Sequence, residues 1–239
     1  MLIDVSNMKY KEINEQLRKS SEDIQITGCC GQRFLASGFC NKKIQIYGTP
    51  GNALGSYLNG ADIIVHGNAQ DAVGDTMNNG KIIVNGNIGD AVGYAMRGGE
   101  IYVKGDAGYR AGIHMKEFEN KKPVIVIGGK CGSFLGEYQA GGIIIVLGLN
   151  TNEKSIVSNY PFTGMHGGKV FLRAKLNELS LPDNIKASPA TENDLKDIQE
   201  YLNAFCDYFD YDKKSITNFP FTKVEPDTVN PYKQMYVAN

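Results

Sequence analysis

No stretch of this sequence approaches the ~18 uninterrupted apolar residues of a membrane-spanning helix, so no such span is expected. Charge of one sign is lacking too. The 25 Lys and Arg balance 26 Asp and Glu to a formal net charge of −1, which gives no electrostatic footprint for nucleic acid or an anionic membrane. The opening residues, Met1-Leu2-Ile3-Asp4, lack the basic, apolar and small-residue order of a secretory signal. The five cysteines, Cys29, Cys30, Cys40, Cys131 and Cys206, are odd in number and irregularly spaced. That excludes a closed disulfide framework and suits free thiols in a reducing cytoplasm, the expected location. Glycine is missing from the first 27 residues and from the last 71; all 28 lie between Gly28 and Gly168.

Within that window the glycines form a ladder. Gly28, Gly48, Gly67, Gly86, Gly105, Gly128 and Gly148 are separated by 20, 19, 19, 19, 23 and 20 residues. A fixed period of this length marks a solenoid. Four and two positions before each ladder glycine stands a β-branched residue: Ile24 and Ile26, Ile44 and Ile46, Ile63 and Val65, and so on to Ile144 and Val146. Val170 and Leu172 continue the series, with Ala174 in the glycine column. This is a strand period with one face permanently buried. A second column, Gly55, Gly74, Gly93, Gly112 and the displaced Gly136, is followed three residues later by Leu58, Met77, Met96 and Met115, an interior stack. A third lies just ahead of each next strand, where glycine permits the positive φ of a tight turn.

Three corners per coil predict an all-β fold, a right-handed parallel β-helix of about seven to eight coils. At the inter-strand spacing its eight strands make a rod on the order of 35 Å long. The six-residue subrepeat of hexapeptide acyltransferases and the Asn ladder of leucine-rich repeats are both absent. Residues 1–23 are expected to cap the N-terminal end, with Ile13 and Leu17 at helical spacing. Residues 24–174 form the β-helix. Residues 175–239 hold a helix and an extended arm: Thr191 and Asp194 read as a helix-capping box ahead of Leu195, Ile198, Leu202 and Phe205 on one face. The outward strand positions turn apolar late, in Ile125 and Ile127, then Ile145 and Leu147. That outer wall is expected to be covered, by the C-terminal segment or by a partner, a second copy of the chain included.

A search for chemistry returns little. There is no dinucleotide fingerprint, P-loop, Cys-x-x-Cys, His-Glu-x-x-His or nucleophile elbow. Cys29 and Cys30 are adjacent on a strand, so their side chains point apart and make poor joint metal ligands. His66, His114 and His166 fall at outward or corner positions, and Asn52, Asp71 and Asp90 stack as a solvated turn ladder. No catalytic, cofactor-binding or metal-binding residue is assigned. One coil departs from the period: residues 105–118 are longer by about four and bring Tyr109, Arg110, His114 and Lys116 beside glycines. Departures from a repeat are where solenoids carry function, so these four are the candidate partner interface; padding at a junction is the alternative.

Gly-Tyr-Arg-Ala-Gly-Ile-His-Met (108–115), Gly-Glu-Tyr-Gln-Ala-Gly-Gly (136–142), Gly-Gln-Arg-Phe (31–34) and the tail Asn230-Pro231-Tyr232-Lys233-Gln234-Met235-Tyr236 carry a family resemblance. The chain resembles the GXGXG domain that ends the large (alpha) subunit of glutamate synthase, and is similar to the β-helix subunit of formylmethanofuran dehydrogenase. Leu2 stands where an N-terminal-nucleophile glutaminase needs cysteine, and the iron–sulfur cysteines of a synthase domain have no counterpart. The resemblance therefore implies a free-standing, non-catalytic scaffold subunit of a multi-subunit glutamate synthase. Its partners would be a glutaminase and a synthase subunit, with FMN and iron–sulfur groups on those partners and no cofactor here. A formylmethanofuran dehydrogenase-like complex and an independent β-helix enzyme are the rival readings.

Overall fold

Strand formation follows from the alternating β-branched columns: each pair places two side chains inward, and the neighbouring coil repeats them one strand spacing away. A computed structural model describes residues 1–149, 151, 155–183 and 185–227. In chain order the elements are β1 (Leu2–Asp4), α1 (Tyr10–Lys19), β2 (Ile24–Cys30), β3 (Lys43–Thr49), β4 (Asn59–His66) and β5 (Asn79–Val84). There follow β6 (Glu100–Val103), β7 (Val124–Ile127), β8 (Ala140–Val146), β9 (Gly167–Leu172), a short 3-10 turn (Leu176–Glu178), β10 (Ile185–Pro189), α2 (Glu192–Phe209), α3 (Lys213–Thr217) and β11 (Thr222–Pro226). They build the expected parallel β-helix of about eight turns, a single 11-stranded sheet running β1 to β9 in sequence order and then β11 and β10.

The strands stack in column register: Ile44 pairs Ile63, which pairs Ile82, then Ile101, Ile125, Ile144 and Val170. Ile125 and Ile127, expected on the outer wall, therefore point inward and Val124 and Val126 outward, because the lengthened coil shifts this strand by one residue against Gly128 of the ladder. Only one of the three walls is a regular sheet. The second is a line of single bridges through Ala69, Ile88, Ala107, Cys131 and Val157. The third is a chain of turns. Each coil sends five side chains inward, such as Ile82, Val84, Ile88, Val92 and Met96, all buried. The methionine column is fully buried, as its phase with the strands requires, and in the next coil Gln139 takes the same place at 0% exposure.

The first coil is capped by a helix and the last sheet strand by a further strand. α1 lays Ile13 and Leu17 on the first coil, and the Asn14 amide acts as a peptide mimic: its Nδ2 donates to Phe34 O at 2.8 Å and its Oδ1 accepts from Ala36 N at 2.9 Å. At the other end β11 pairs antiparallel with β9 and carries β10 outside it. The described part of the arm is thus in part a strand, preceded by the short α3. The tail from residue 228 lies outside the described residues.

The apolar outer wall of the late coils is covered by the chain itself. Ile198, Leu202, Phe205 and Phe209 of α2 form a second core with Ile83, Tyr102, Val126, Ile145 and Phe171. Of the two covers expected for this wall, the C-terminal segment is the one in place. The approach is close enough to explain Gly128, where a Cβ would lie 2.8 Å from the Phe205 ring and 2.2 Å from Lys104 O. Thr191 Oγ1 accepts from Asp194 N and Asp194 Oδ2 accepts from Thr191 N, the capping box read from the sequence. Among the described residues no helix is long and apolar enough to cross a membrane.

Candidate functional site

The turn wall is built from backbone that side chains ordinarily avoid. Among the described residues seventeen other than glycine have positive φ; all but Asn41, Glu119 and Asp210, hence fourteen, fall in this wall. In each coil three residues at alternate positions are left-handed, as in Ala91, Gly93 and Ala95 (φ +57°, +67° and +50°) or Arg110, Gly112 and His114 (+58°, +71° and +55°). The middle residue points its α-carbon at the strand wall, where a Cβ on Gly93 or Gly112 would sit 2.4 Å from Ile125 Cδ1 or Ile144 Cδ1. The flanking two point outward and can carry any side chain that stands the strain.

That outward freedom produces the most distinctive surface of the molecule. Coils two to four place the small Ala53, Ala72 and Ala91 in the first left-handed column; the later coils place Arg110, Phe134 and Tyr160 there. Neighbouring columns add Tyr94, His114 and Tyr138. The His114 ring stacks on Tyr138 (5.1 Å, 9°) and meets the edge of Tyr94 at 5.9 Å. Phe134 stacks on Tyr160 (5.4 Å), and the Arg110 guanidinium lies 4.9 Å from the Phe134 centroid while its Nε donates to Glu137 Oε2 at 3.0 Å. Tyr94, Tyr109, Tyr138 and Tyr160 are exposed, Tyr160 by 69%. A corner dominated by Tyr, Phe and a tethered Arg has the composition of an interface core and not of a solvated face.

Of the four residues singled out from the sequence, Arg110 and His114 sit at the centre of this ridge, Tyr109 beside it and Lys116 just past it. The extra length that marked them lies elsewhere, which corrects the sequence reading. Lys81 pairs with Glu100 nineteen residues on, but Glu100 pairs with Val124, twenty-four on. The five extra residues fall after Met115, because Ala95 N still donates to Ile113 O and Lys116 N to Met96 O at the ordinary offsets of the earlier coils. They fold as a small hairpin closed by Phe118 and Lys121. Tyr109, Arg110 and His114 are therefore regular repeat positions with unusual occupants. The sequence reading missed Tyr94, Phe134, Tyr138 and Tyr160, which alignment on the second glycine column would have gathered.

Beside the ridge, a groove of about 620 Å³ is lined by Tyr109, Lys130, Ser158, Asn159, Tyr160 and Ser180 among others. Asp106 on its lining ends a polar ladder absent from the sequence reading: Asn68, Asn87 and Asp106 each accept, through Oδ1, the amide nineteen or twenty-four residues on. Asp71 and Asp90 do the same one corner away. These carboxamides and carboxylates face backbone, which gives them a structural role.

Ionisable groups displaced from their ordinary range are accounted for by packing. Burial pushes the Cys29 thiol up to about 11 and the Cys131 thiol up as well, so neither is prepared as a thiolate nucleophile. Cys29 is buried and Cys30 exposed, as their adjacency on β2 predicts. Burial, then a hydrogen bond to Glu100 (2.7 Å), raises the Tyr102 phenol. The Thr191 hydroxyl, its backbone amide and then Lys223 together hold Asp194 down at about 2, against burial, whose effect is second only to that of the Thr191 hydroxyl. His66 stacks on Tyr47 at 4.4 Å and meets Gln45 at 3.0 Å, and His166 meets Gly164 O at 3.0 Å. Among the described residues no group of three or more His, Cys, Asp or Glu is placed to hold a metal ion.

An uncharacterized protein of Methanocaldococcus jannaschii is 42% identical over 255 residues, spanning 100% of this chain and 97% of the relative. The family described by its GXGXG motif matches residues 7–227, which takes in α1, every coil of the β-helix, α2 and β11. With the glycine columns explained by coil geometry over that same span, the chain belongs to the GXGXG motif family, that of the C-terminal domain of the glutamate synthase alpha subunit.

Proposed function

We propose that the chain is a non-catalytic scaffold subunit of a multi-subunit glutamate synthase. It would seat a glutaminase subunit and an FMN-dependent synthase subunit, which would carry the chemistry and its FMN and iron–sulfur groups. Ammonia released from glutamine on one would be used on the other to convert 2-oxoglutarate to glutamate. The observation that carries the reading is the aromatic corner, where Arg110, Phe134 and Tyr160 form one stack and His114 and Tyr138 another on the same solvent-facing wall. Family membership supports the identity of the complex. The packing that accounts for the displaced Cys29, Cys131, Tyr102 and Asp194 supports a non-catalytic role.

Co-expression with the two candidate subunits followed by size-exclusion chromatography tests the proposal. A ternary complex is expected, with Tyr138→Ala and Arg110→Glu each weakening assembly at least tenfold without shifting the melting temperature of the isolated chain by more than a few degrees. Glutaminase or glutamate synthase turnover by the isolated chain, or failure of the three to associate, would overturn it.

A further inference from the structure

Hydrogen bonding between coils at the left-handed corner obeys one pattern. The amide of the first left-handed residue donates to a carbonyl of the following coil, from Phe34 N to Asn52 O (2.9 Å) through Phe134 N to Asn159 O (2.9 Å), six times in succession. The third left-handed residue does likewise, from Gly38 N to Ser56 O through Tyr138 N to Thr163 O, both 2.8 Å. The seventh corner supplies the next two donors, Tyr160 and Gly164, in the same conformation (φ +54° and +67°). Neither amide has an acceptor among the described residues.

The two ends of the corner are thus treated differently. At the first coil, Asn14 supplies a side-chain amide where a preceding coil would be. At the last, β11 closes the sheet wall only, pairing from Leu172 to Val170 of β9. The corner is left with two donors, the exposed and stacked rings of Tyr160 and Phe134, and the groove beside Asn159 and Ser180. Unfilled backbone donors in register template one more length of backbone, as at an open sheet edge.

We infer that this corner is a docking edge for a turning segment of a partner polypeptide, whose backbone carbonyls accept from Tyr160 N and Gly164 N as the next coil's would. The six preceding coils show the shape of the acceptor: a backbone that turns with the corner, gripped on its outer side by aromatic rings. The inference goes beyond the proposed function and does not depend on which proteins the partners are.

Amide hydrogen exchange resolved at these two residues is the test, on the tagged full chain isolated with its native assembly and on the chain alone. Exchange at Tyr160 and Gly164 is expected to slow at least tenfold in the assembly, and Asn159→Trp, which fills the edge, to lower the yield of partner at least tenfold while the chain stays folded. Unchanged exchange in the assembly would overturn the inference, as would recovery of the chain without a partner. So would slow exchange in the chain alone that is abolished in a variant ending at Asp227, since residues 228–239 would then be the occupant. The identity of the co-purified subunits separately decides the proposed function: other proteins with both amides protected would remove that reading and keep this one.

Discussion

Gly93→Ala separates two reasons for a glycine that are usually confounded. The residue is left-handed (φ +67°), but so are Ala91 and Ala95 on either side of it. Left-handed backbone costs a non-glycine residue about 1–2 kcal/mol, and the stiffer unfolded chain returns about 0.5–1 of that. Conformation alone therefore predicts a loss near 1 kcal/mol. The Cβ would in addition lie 2.4 Å from Ile125 Cδ1 and 3.5 Å from Met96 Sδ, inside a filled coil. Overpacking of that order adds about 1–3 kcal/mol, for a total of about 2–4. Gly38 is the internal control: its φ is +70° and a Cβ there meets nothing within 4 Å, so Gly38→Ala should cost only the first amount. Ile125→Val removes the offending methyl at about 0.5–1.5 kcal/mol, and the double variant should be more stable than the sum by about 1 kcal/mol or more. Urea unfolding at 25 °C, with slopes held equal, reads all four variants. Equal losses for Gly93→Ala and Gly38→Ala, or strict additivity with Ile125→Val, would refute the steric account.

Asp194 is held at about 2 by Thr191 and Lys223, below its ordinary 3.8. A depressed carboxylate contributes stability that is full above the unfolded value and lost as pH falls toward 2. Wild type should therefore lose stability between about pH 5 and pH 2 more steeply than Asp194→Asn, which should already be weaker by about 1–2 kcal/mol at pH 7; parallel acid titrations of the two would refute it. Met96→Gln buries an amide among apolar neighbours and should cost about 2–4 kcal/mol. Gln139→Met, where Nε2 reaches Gly141 O and Gly142 O but Oε1 has no partner, should change stability by less than about 1 kcal/mol; denaturation midpoints decide both. Phe205→Ala should cost about 3–5 kcal/mol and open an apolar patch on the outer wall, seen as dye binding in the native baseline.

The sequence revealed most of the sheet wall because burial acts there with a strict period: Ile63, Ile82, Ile101 and Ile144 stand over one another, whereas the ladder spacing puts Ile125 on the outer face because the extra residues after Met115 shift its strand by one position against the glycines. It revealed the second glycine column for a related reason, since those glycines face the same isoleucines. It hid the left-handed wall, because the flanking positions face solvent and accept Ala, Thr, Arg, His, Phe or Tyr. A strained backbone leaves no residue signature when neighbours on both sides impose it. The corner was visible only as Arg110 and His114, chosen for a length anomaly that belongs to the hairpin at Phe118–Lys121. Asn14 could not be read as an end cap, since nothing near it in sequence marks Phe34 and Ala36 as its partners.

Helix α2 has a consequence for how the rod comes apart. A solenoid whose coils touch only their neighbours behaves as a one-dimensional array, able to open at any junction. By packing one apolar stripe across Ile83, Tyr102, Val126, Ile145 and Phe171, α2 touches five successive coils at once. Opening any of these junctions requires the whole helix to leave, so this half unfolds as a unit. The coils of β2 and β3, whose outer positions Gln25 and Gln45 have no such cover, are held only by nearest-neighbour contacts and α1. The molecule is a cooperative block with a frayable lead-in, and the aromatic ridge, from Arg110 to Tyr160, stands on the block.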